Sequence, residues 1–213
     1  MPKRPDHTRR QVVLMAKAPA IGRGKQRLAK ELGRVEAWRI NRFLHRQACR
    51  SALGGPWALI LCVSPDSATA ARLPGVWPSK GKRTPQGTGD LGARIAAGVR
   101  KLKGPLVVIG ADCPDMRPQD LARAFKALRR FPAVLGPAAD GGFWLVGVRK
   151  PTMLIRALPG VRWSTAHAAA DIAQALPGPV ARLRLLSDID DAAAWRAYRS
   201  RATYSAGRPE AKA

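Results

Sequence analysis

A chain of 213 residues, 46% of them hydrophobic, can build one domain with a sizeable core, which excludes a disordered binder. A net charge of +24 points to an anionic partner. The basic residues are spread along the chain, with no aromatic-interleaved basic run, helix-turn-helix spacing or zinc knuckle, so an anionic small substrate is expected ahead of specific nucleic-acid recognition, with non-specific polyanion binding at low salt.

No window of about 18 consecutive apolar residues exists, so no membrane span is expected. The apolar run at 12–16 is too short for a signal-peptide core and is closed by Lys17, which makes a cytoplasmic protein the expectation. Cys49, Cys62 and Cys113 form no C-x-x-C pair, which argues against a zinc site or a disulfide framework.

In chain order, residues 11–16 read as a strand and 35–53 as a helix, with apolar positions at Val35, Trp38, Phe43 and Leu44. Residues 57–63 read as a strand that ends in the turn Ser64-Pro65-Asp66, and the Gly/Lys/Pro-rich stretch 80–89 as a loop. Asp90 is placed to N-cap a helix through about Leu102. Residues 106–110 read as the central strand, and Pro118 opens a helix to about Arg130. Short strands at 133–136 and 143–148 flank the turn Asp140-Gly141-Gly142. Ser164 is expected to cap a helix to about Leu176, 180–185 to form a strand, and 188–191 to start a last helix ending near Arg201. The alternation predicts an α/β fold: a single-domain, Rossmann-like, mixed and mostly parallel sheet with helices on both faces, over residues 11–201. Residues 1–10 and 202–213 are expected to be flexible termini.

The strand at 106–110 climbs directly into Asp112-Cys113-Pro114-Asp115. A carboxylate at the end of a buried strand is costly unless paired, and open α/β sheets bind ligands beyond the carboxyl ends of their strands. Asp112 thus sits where a metal–phosphate complex can dock, whereas Asp115 suits a turn or cap before the next helix. After the first strand, residues 17–28 hold Gly22 and Gly24 with Lys17, Arg23, Lys25 and Arg27, a loop whose N–H groups and cations suit phosphate. It is neither a Walker loop nor a G-x-G-x-x-G. Asp188, Asp190 and Asp191 crowd into four residues, more than one helix cap needs, and Mg²⁺ takes one or two carboxylates plus phosphate oxygens. Trp163-Ser164-Thr165 reads as a cap that could also hold an anion. His7, His45 and His167 have no metal-ligand spacing, and no covalent nucleophile is assigned.

The ordered set of motifs resembles a family of small bacterial transferases with the glycosyltransferase-A fold, the nucleotide-diphospho-sugar-transferase-like proteins. The family's A-x-A-P-x-x-G-x-x-K-x-R-L loop reads here as Ala16, Ala18, Pro19, Gly22, Lys25, Arg27 and Leu28. Its Q-x-x-G-D-L-G segment reads as Gln86, Gly89, Asp90, Leu91 and Gly92, and G-x-D-C-P as Gly110, Asp112, Cys113 and Pro114. D-G-G, W-S-T and D-I-D follow at 140–142, 163–165 and 188–190. The resemblance implies a nucleotide site on Lys17, Ala18, Pro19, Gly22, Lys25 and Arg27, joined by Gln86 and Asp90. It implies Mg²⁺ or Mn²⁺ on Asp112 and Asp190, with Asp112 and Asp140 catalytic and Asp140 facing a small-molecule acceptor. The chain departs from the pattern at Ala139, where an acidic residue is common, and at Phe143-Trp144, where tyrosines are common. The same fold hosts nucleotidyltransferases, among them phospholactate guanylyltransferases, which resemble this chain in the K-x-R-L loop, the strand-end aspartate and the D-G-G turn. Glycosyl transfer from a sugar nucleotide is the expected activity. Transfer of a nucleotidyl group from an NTP to a small phosphorylated acceptor is the alternative, and a polyanion binder without catalysis is a third reading.

Overall fold

A computed structural model describes residues 10–79 and 81–206, with side chains through residue 202. The termini expected at 1–10 and 202–213 therefore lie largely outside the described residues, as does Lys80 of the expected loop.

The elements run β1 (Gln11–Lys17), α1 (Gln26–Leu32), α2 (Arg34–Leu53), β2 (Ala58–Ser64), β3 (Lys82–Pro85), α3 (Leu91–Val99) and β4 (Leu106–Ile109). They continue α4 (Pro118–Ala127), β5 (Ala133–Pro137), β6 (Phe143–Val148), α5 (Pro151–Ala157), α6 (Ala168–Ala175), β7 (Val180–Arg182) and α7 (Ala192–Ala206). A seven-stranded sheet has the order β3-β2-β1-β4-β6-β5-β7. β6 runs antiparallel to both of its neighbours, and the other pairings are parallel. This is the mixed, mostly parallel sheet the sequence predicts.

Strand alternation divides the core into two layers. Val12, Leu14 and Ala16 of β1 face one side, with Ala48 and Ala52 of α2 and Leu121, Ala124 and Phe125 of α4. Val13 faces the other, with Ile95 and Val99 of α3, Leu154 of α5 and Ile172 of α6. Strands buried on both faces read as continuous apolar runs, which is why β1, β2 and β4 are legible in sequence. Each fully buried leucine, such as Leu14, Leu61 or Leu145, contributes about 2 kcal/mol of transfer free energy. The chain moves outward from β1 through β2 to β3, then returns to place β4 on the opposite side of β1. The crevice between the carboxyl ends of β1 and β4 is the topological switch point, where α/β sheets bind ligands.

Several elements differ from expectation. The stretch 80–89 contains an edge strand, β3, whose Lys-Arg-Thr-Pro sequence has no strand pattern and is held by the ladder to β2. The cationic loop contains α1, of which only Leu28 is buried, and α5 was not foreseen. α3 stops at Val99, α4 at Ala127 and β7 at Arg182, each short of the expected end. Ser164 does not cap α6, because it is left-handed (φ 60°) and the helix starts at Ala168. Asp115 does not cap α4 either. Asp120 reaches back to accept from the Arg117 N–H at 2.9 Å, and Asp115 pairs with Arg201 of α7 at 3.2 Å.

Asp120 is buried and takes two hydrogen bonds from Arg184, at 2.9 and 2.7 Å. Burial pushes its carboxyl up, but the bonds from Arg184 and the Arg117 N–H outweigh this and hold it below the usual range. Arg184→Met leaves this carboxylate with the Arg117 N–H and a longer contact to Arg123 at 3.7 Å. Breaking a sealed pair costs about 3–5 kcal/mol, and because Arg184 is itself 41% exposed the expected loss is about 2 kcal/mol at pH 7. A depressed carboxylate adds stability above its unfolded pKa of about 3.9 and loses it as pH falls through the lower folded value. The gap between wild type and Arg184→Met in urea midpoint should therefore be full at pH 7 and shrink below pH 4. A gap that does not change with pH would mean the charge pair is not its source.

Candidate active site

The carboxyl ends of β1 and β4 open into a cleft of about 680 Å³ lined by Lys17, Lys25, Arg27, Asp112, Asp140 and Asp190, among others. Six residues expected at the site from sequence thus meet in one place. Lys17 ends β1, and Asp112 follows β4 after Gly110 and Ala111. The late aspartates reach them because the chain beyond β7 runs along the strand ends. Leu186 bridges to Ala138, and the Ile189 N–H donates to the Asp112 carbonyl at 2.9 Å.

Lys25 is the centre of this arrangement. It sits in the left-handed region (φ 50°) at the start of α1, and its side chain is only 7% exposed. Its ammonium Nζ donates to Ile189 O at 2.6 Å, lies 2.8 Å from Asp112 Oδ1 and 3.6 Å from Asp190 Oδ1. Two of the three ammonium donors are thus directed at Ile189 and Asp112, while Asp190 is held as a longer ion pair. Lys25, expected to hold phosphate, gathers the two carboxylates expected to hold metal. Arg27 pairs with Asp190 at 3.2 Å and is otherwise exposed.

Asp140 makes the turn its sequence suggests, accepting from the Gly142 N–H at 2.9 Å, and also lines the cleft. Opposite it runs the loop of Trp163, Ser164 and Thr165, pinned to α6 by Arg162, which meets both oxygens of Asp171 at 2.9 and 2.7 Å. The Trp163 ring meets Phe143 edge-on, with centroids 6.1 Å apart, giving the cleft an aromatic wall.

The remaining predicted residues lie outside the cleft lining. Ala18 ties the loop to β2 through its N–H to Ser64 O at 2.7 Å, Pro19 is buried, and Gly22 O accepts from the Gln26 amide at 3.1 Å. The Gln86 amide donates to Cys62 O at 2.8 Å and Ala16 O at 3.4 Å, joining the ends of β1 and β2. Asp90 caps α3 by accepting from the Ala93 N–H at 2.8 Å, as its place before the helix predicts.

Three further residues line the cleft: Asp188, which the sequence marks only as part of the acidic run, His45, which it marks only as lacking metal-ligand spacing, and Asn41, which it does not mark. Asp188 is half-buried, and burial followed by the nearby Asp140 carboxylate pushes its carboxyl up. Asn41 and His45 lie one turn apart on α2, 7% and 2% exposed, among the apolar Ile40, Leu44 and Ala48. Two polar residues on a buried apolar stripe were the signal available for them. Burial takes the His45 pKa down to about 4, against the pull of Asp112. Cys113 also lines the cleft, but burial, then Asp188 and Asp112, push its thiol up, so it is no nucleophile.

Residues 48–165 match the family described as "Uncharacterized protein conserved in bacteria (DUF2064)". The chain belongs to this family. Among solved structures, it is similar to a Desulfovibrio desulfuricans G20 protein provisionally designated a nucleotide-diphospho-sugar transferase, with 25% identity, TM-score 0.80, and 95% of this chain and 92% of that one covered. It shares its fold with 4-diphosphocytidyl-2C-methyl-D-erythritol synthase from Anaerococcus prevotii DSM 20548, at 8% identity, TM-score 0.64, and 93% and 100% coverage. The fold is also that of a CMP:2-keto-3-deoxy-manno-octonic acid synthetase solved with CTP, at 11% identity, TM-score 0.55, and 93% and 100% coverage. No curated protein matches the chain. This DUF2064 member thus has the nucleotide-diphospho-sugar transferase fold, and among its described residues no helix is long and apolar enough to cross a membrane.

Proposed function

We propose that this protein is a metal-assisted transferase that takes its donor group from a nucleotide, with glycosyl transfer from a sugar nucleotide as its activity. The observation that carries this reading is the meeting of Asp112 and Asp190 on Lys25 at the switch point, beside Lys17 and Arg27. The designation of the Desulfovibrio relative supports it.

The donor set suits Mg²⁺ or Mn²⁺. Asp112 and Asp190 offer hard oxygens, are 52% and 45% exposed, and are already held together by Lys25. Mg²⁺ is bound through one or two carboxylates completed by substrate phosphate oxygens, and these two aspartates suit that arrangement. Such an ion supplies neutralisation of the charge that grows on the phosphate oxygens as the donor bond breaks. Lys17 and Arg27 add fixed positive charge along the same phosphates. Lys25 keeps the two carboxylates at one spot, and Asp140, on the cleft lining, is the carboxylate for an acceptor hydroxyl. Phe143 and Trp163 give the acceptor an apolar surface to lie on. The free, buried cysteines fit a cytoplasmic setting.

Nucleotidyl transfer from an NTP is the second reading, favoured by the fold neighbour that holds CTP. Thermal-shift measurements with NTPs and sugar nucleotides, each with and without Mg²⁺ or Mn²⁺ at moderate salt, separate the readings. Metal-dependent stabilisation by one sugar nucleotide and no NTP is the expected result. Selective stabilisation by an NTP would move the assignment to nucleotidyl transfer. Equal, metal-independent shifts with every anion would reduce the cleft to a basic surface.

A further inference from the structure

The floor of the cleft carries a device that the phosphate loop and the carboxylates do not explain. His45 and Asn41 line the cleft from α2, nearly sealed by their surroundings. The His45 ring is held by Trp77, whose indole N–H donates to Nδ1 at 3.1 Å. Trp77 is in turn fixed under the Arg83 guanidinium, 5.5 Å from its ring centre, and Arg83 is anchored on the Ala71 and Pro78 carbonyls.

An indole N–H can only donate. It therefore requires a bare lone pair on Nδ1, and that excludes the imidazolium, in which both ring nitrogens carry protons. His45 is neutral with its single proton on Nε2. The lowered pKa of the ring agrees with this geometry. Among the described residues Nε2 and the Asn41 amide have no hydrogen-bond partner, yet neither is sealed from solvent. Both side chains line the cleft, so both open into it. Asn41 Nδ2 and Lys17 Cδ each lie 4.0 Å from the point where a Cβ on Gly24 would sit, so the amide and the lysine approach the same face of the phosphate loop.

We propose that His45, through its Nε2–H, is a hydrogen-bond donor to a phosphoryl oxygen of the nucleotide donor, with Asn41 beside it. This rests on the nucleotide reading above and adds to it a residue that positions the phosphate chain. A donor held neutral by Trp77 supplies directionality without adding a charge beside Lys25, which is itself directed at Ile189 O and Asp112 and paired with Asp190. It also accepts no proton from its ligand, because its only free nitrogen already carries one.

Inorganic pyrophosphate with Mg²⁺ is a suitable probe, since it offers the phosphate chain without choosing a base or a sugar. Calorimetry on His45→Phe, which keeps a ring but no donor, should give binding weaker by about tenfold. His45→Gln, which restores an N–H near the same reach, should stay within about threefold of wild type. In wild type, ¹⁵N spectra of the imidazole should show the Nε2–H tautomer from pH 6 to 8, with that proton shifting on addition of pyrophosphate. Equal affinity of His45→Phe and wild type, or equal weakening of His45→Phe and His45→Gln, overturns the proposal. So does an Nδ1–H tautomer in wild type, which needs no variant to fold. If Lys17→Ala weakens pyrophosphate while His45→Phe does not, the nucleotide reading stands and the role of His45 falls. Wild type that binds neither pyrophosphate nor any nucleotide of the panel ends both.

Discussion

Asp112→Asn is expected to remove metal-dependent nucleotide binding while leaving the fold in place. Asn keeps the size of the side chain and an oxygen for Lys25, but it withdraws the negative charge that a hard divalent ion requires. Partners one step removed from a metal ligand are worth about 10–100-fold in affinity, so loss of a direct ligand should cost at least about a hundredfold. The fold should tolerate the change. Lys25 retains the Ile189 carbonyl at 2.6 Å and Asp190 at 3.6 Å, and Asp112 is 52% exposed, so the lost pair is screened by solvent. Calorimetry of Mn²⁺ with a sugar nucleotide, alongside melting curves, measures both effects. Undiminished metal-dependent binding by a folded Asp112→Asn protein would refute the role assigned to this carboxylate.

Gly141→Ala should produce the largest loss of stability among single-methyl additions near the cleft. Gly141 lies at φ +85°, and a Cβ there would fall 2.2 Å from the Ala166 carbonyl oxygen and 2.6 Å from its Cα. The obstacle is backbone, so no side chain can swing aside. The two segments are also tied by the Ala169 N–H to the Gly141 carbonyl at 3.1 Å. The methyl must push the Asp140 turn away from the Trp163–Thr165 loop, or pull that loop off α6. Left-handed strain and the clash together should cost about 3 kcal/mol, which in a chain of this size lowers Tm by about 6–12 °C. Gly160 is the control, since it has a similar φ of +81° with nothing within 4 Å of its Cβ position. Gly160→Ala should cost only about 1 kcal/mol. If the two variants melt together, docking of the turn against Ala166 contributes nothing.

Much of the architecture was readable because apolar patterning reports burial directly. The runs at β1, β2 and β4 are buried on both faces, so they stand out as continuous apolar strings, and α2 is legible as a helix although, of its predicted apolar positions Val35, Trp38, Phe43 and Leu44, only Leu44 is buried and Val35 is exposed. The order of strand and helix then leads to a mostly parallel sheet, and the acidic turn after β4 is visible as a carboxylate at a strand end. β3 and α1 escaped for the opposite reason. Four residues without an apolar side chain form a strand because β2 offers a ladder, and a seven-residue helix with one buried leucine has no pattern to display. Ser164 resembled a cap by type, but its left-handed backbone answers to the packing of the Asp140 turn against its loop.

The site divides along the same line. Residue type and position marked Asp112 at a strand end, the cationic loop that holds Lys17, Lys25 and Arg27, and the acidic run at 188–191, while the resemblance picked Asp190 from that run and gave Asp140 its place toward an acceptor. Which of them touch was decided only by the tertiary structure. The Ile189 N–H bond to Asp112 O folds the late aspartates back over β4, and that contact turns Lys25 from a free cation into the buried partner of two carboxylates. Likewise, no pattern in the sequence says that Trp77 meets His45, and the tautomer of that histidine follows from that one contact. Local sequence carries the period of burial and the chemistry of each side chain. The pairing of charges and donors across distant segments arises only when the folded chain brings them within hydrogen-bond reach.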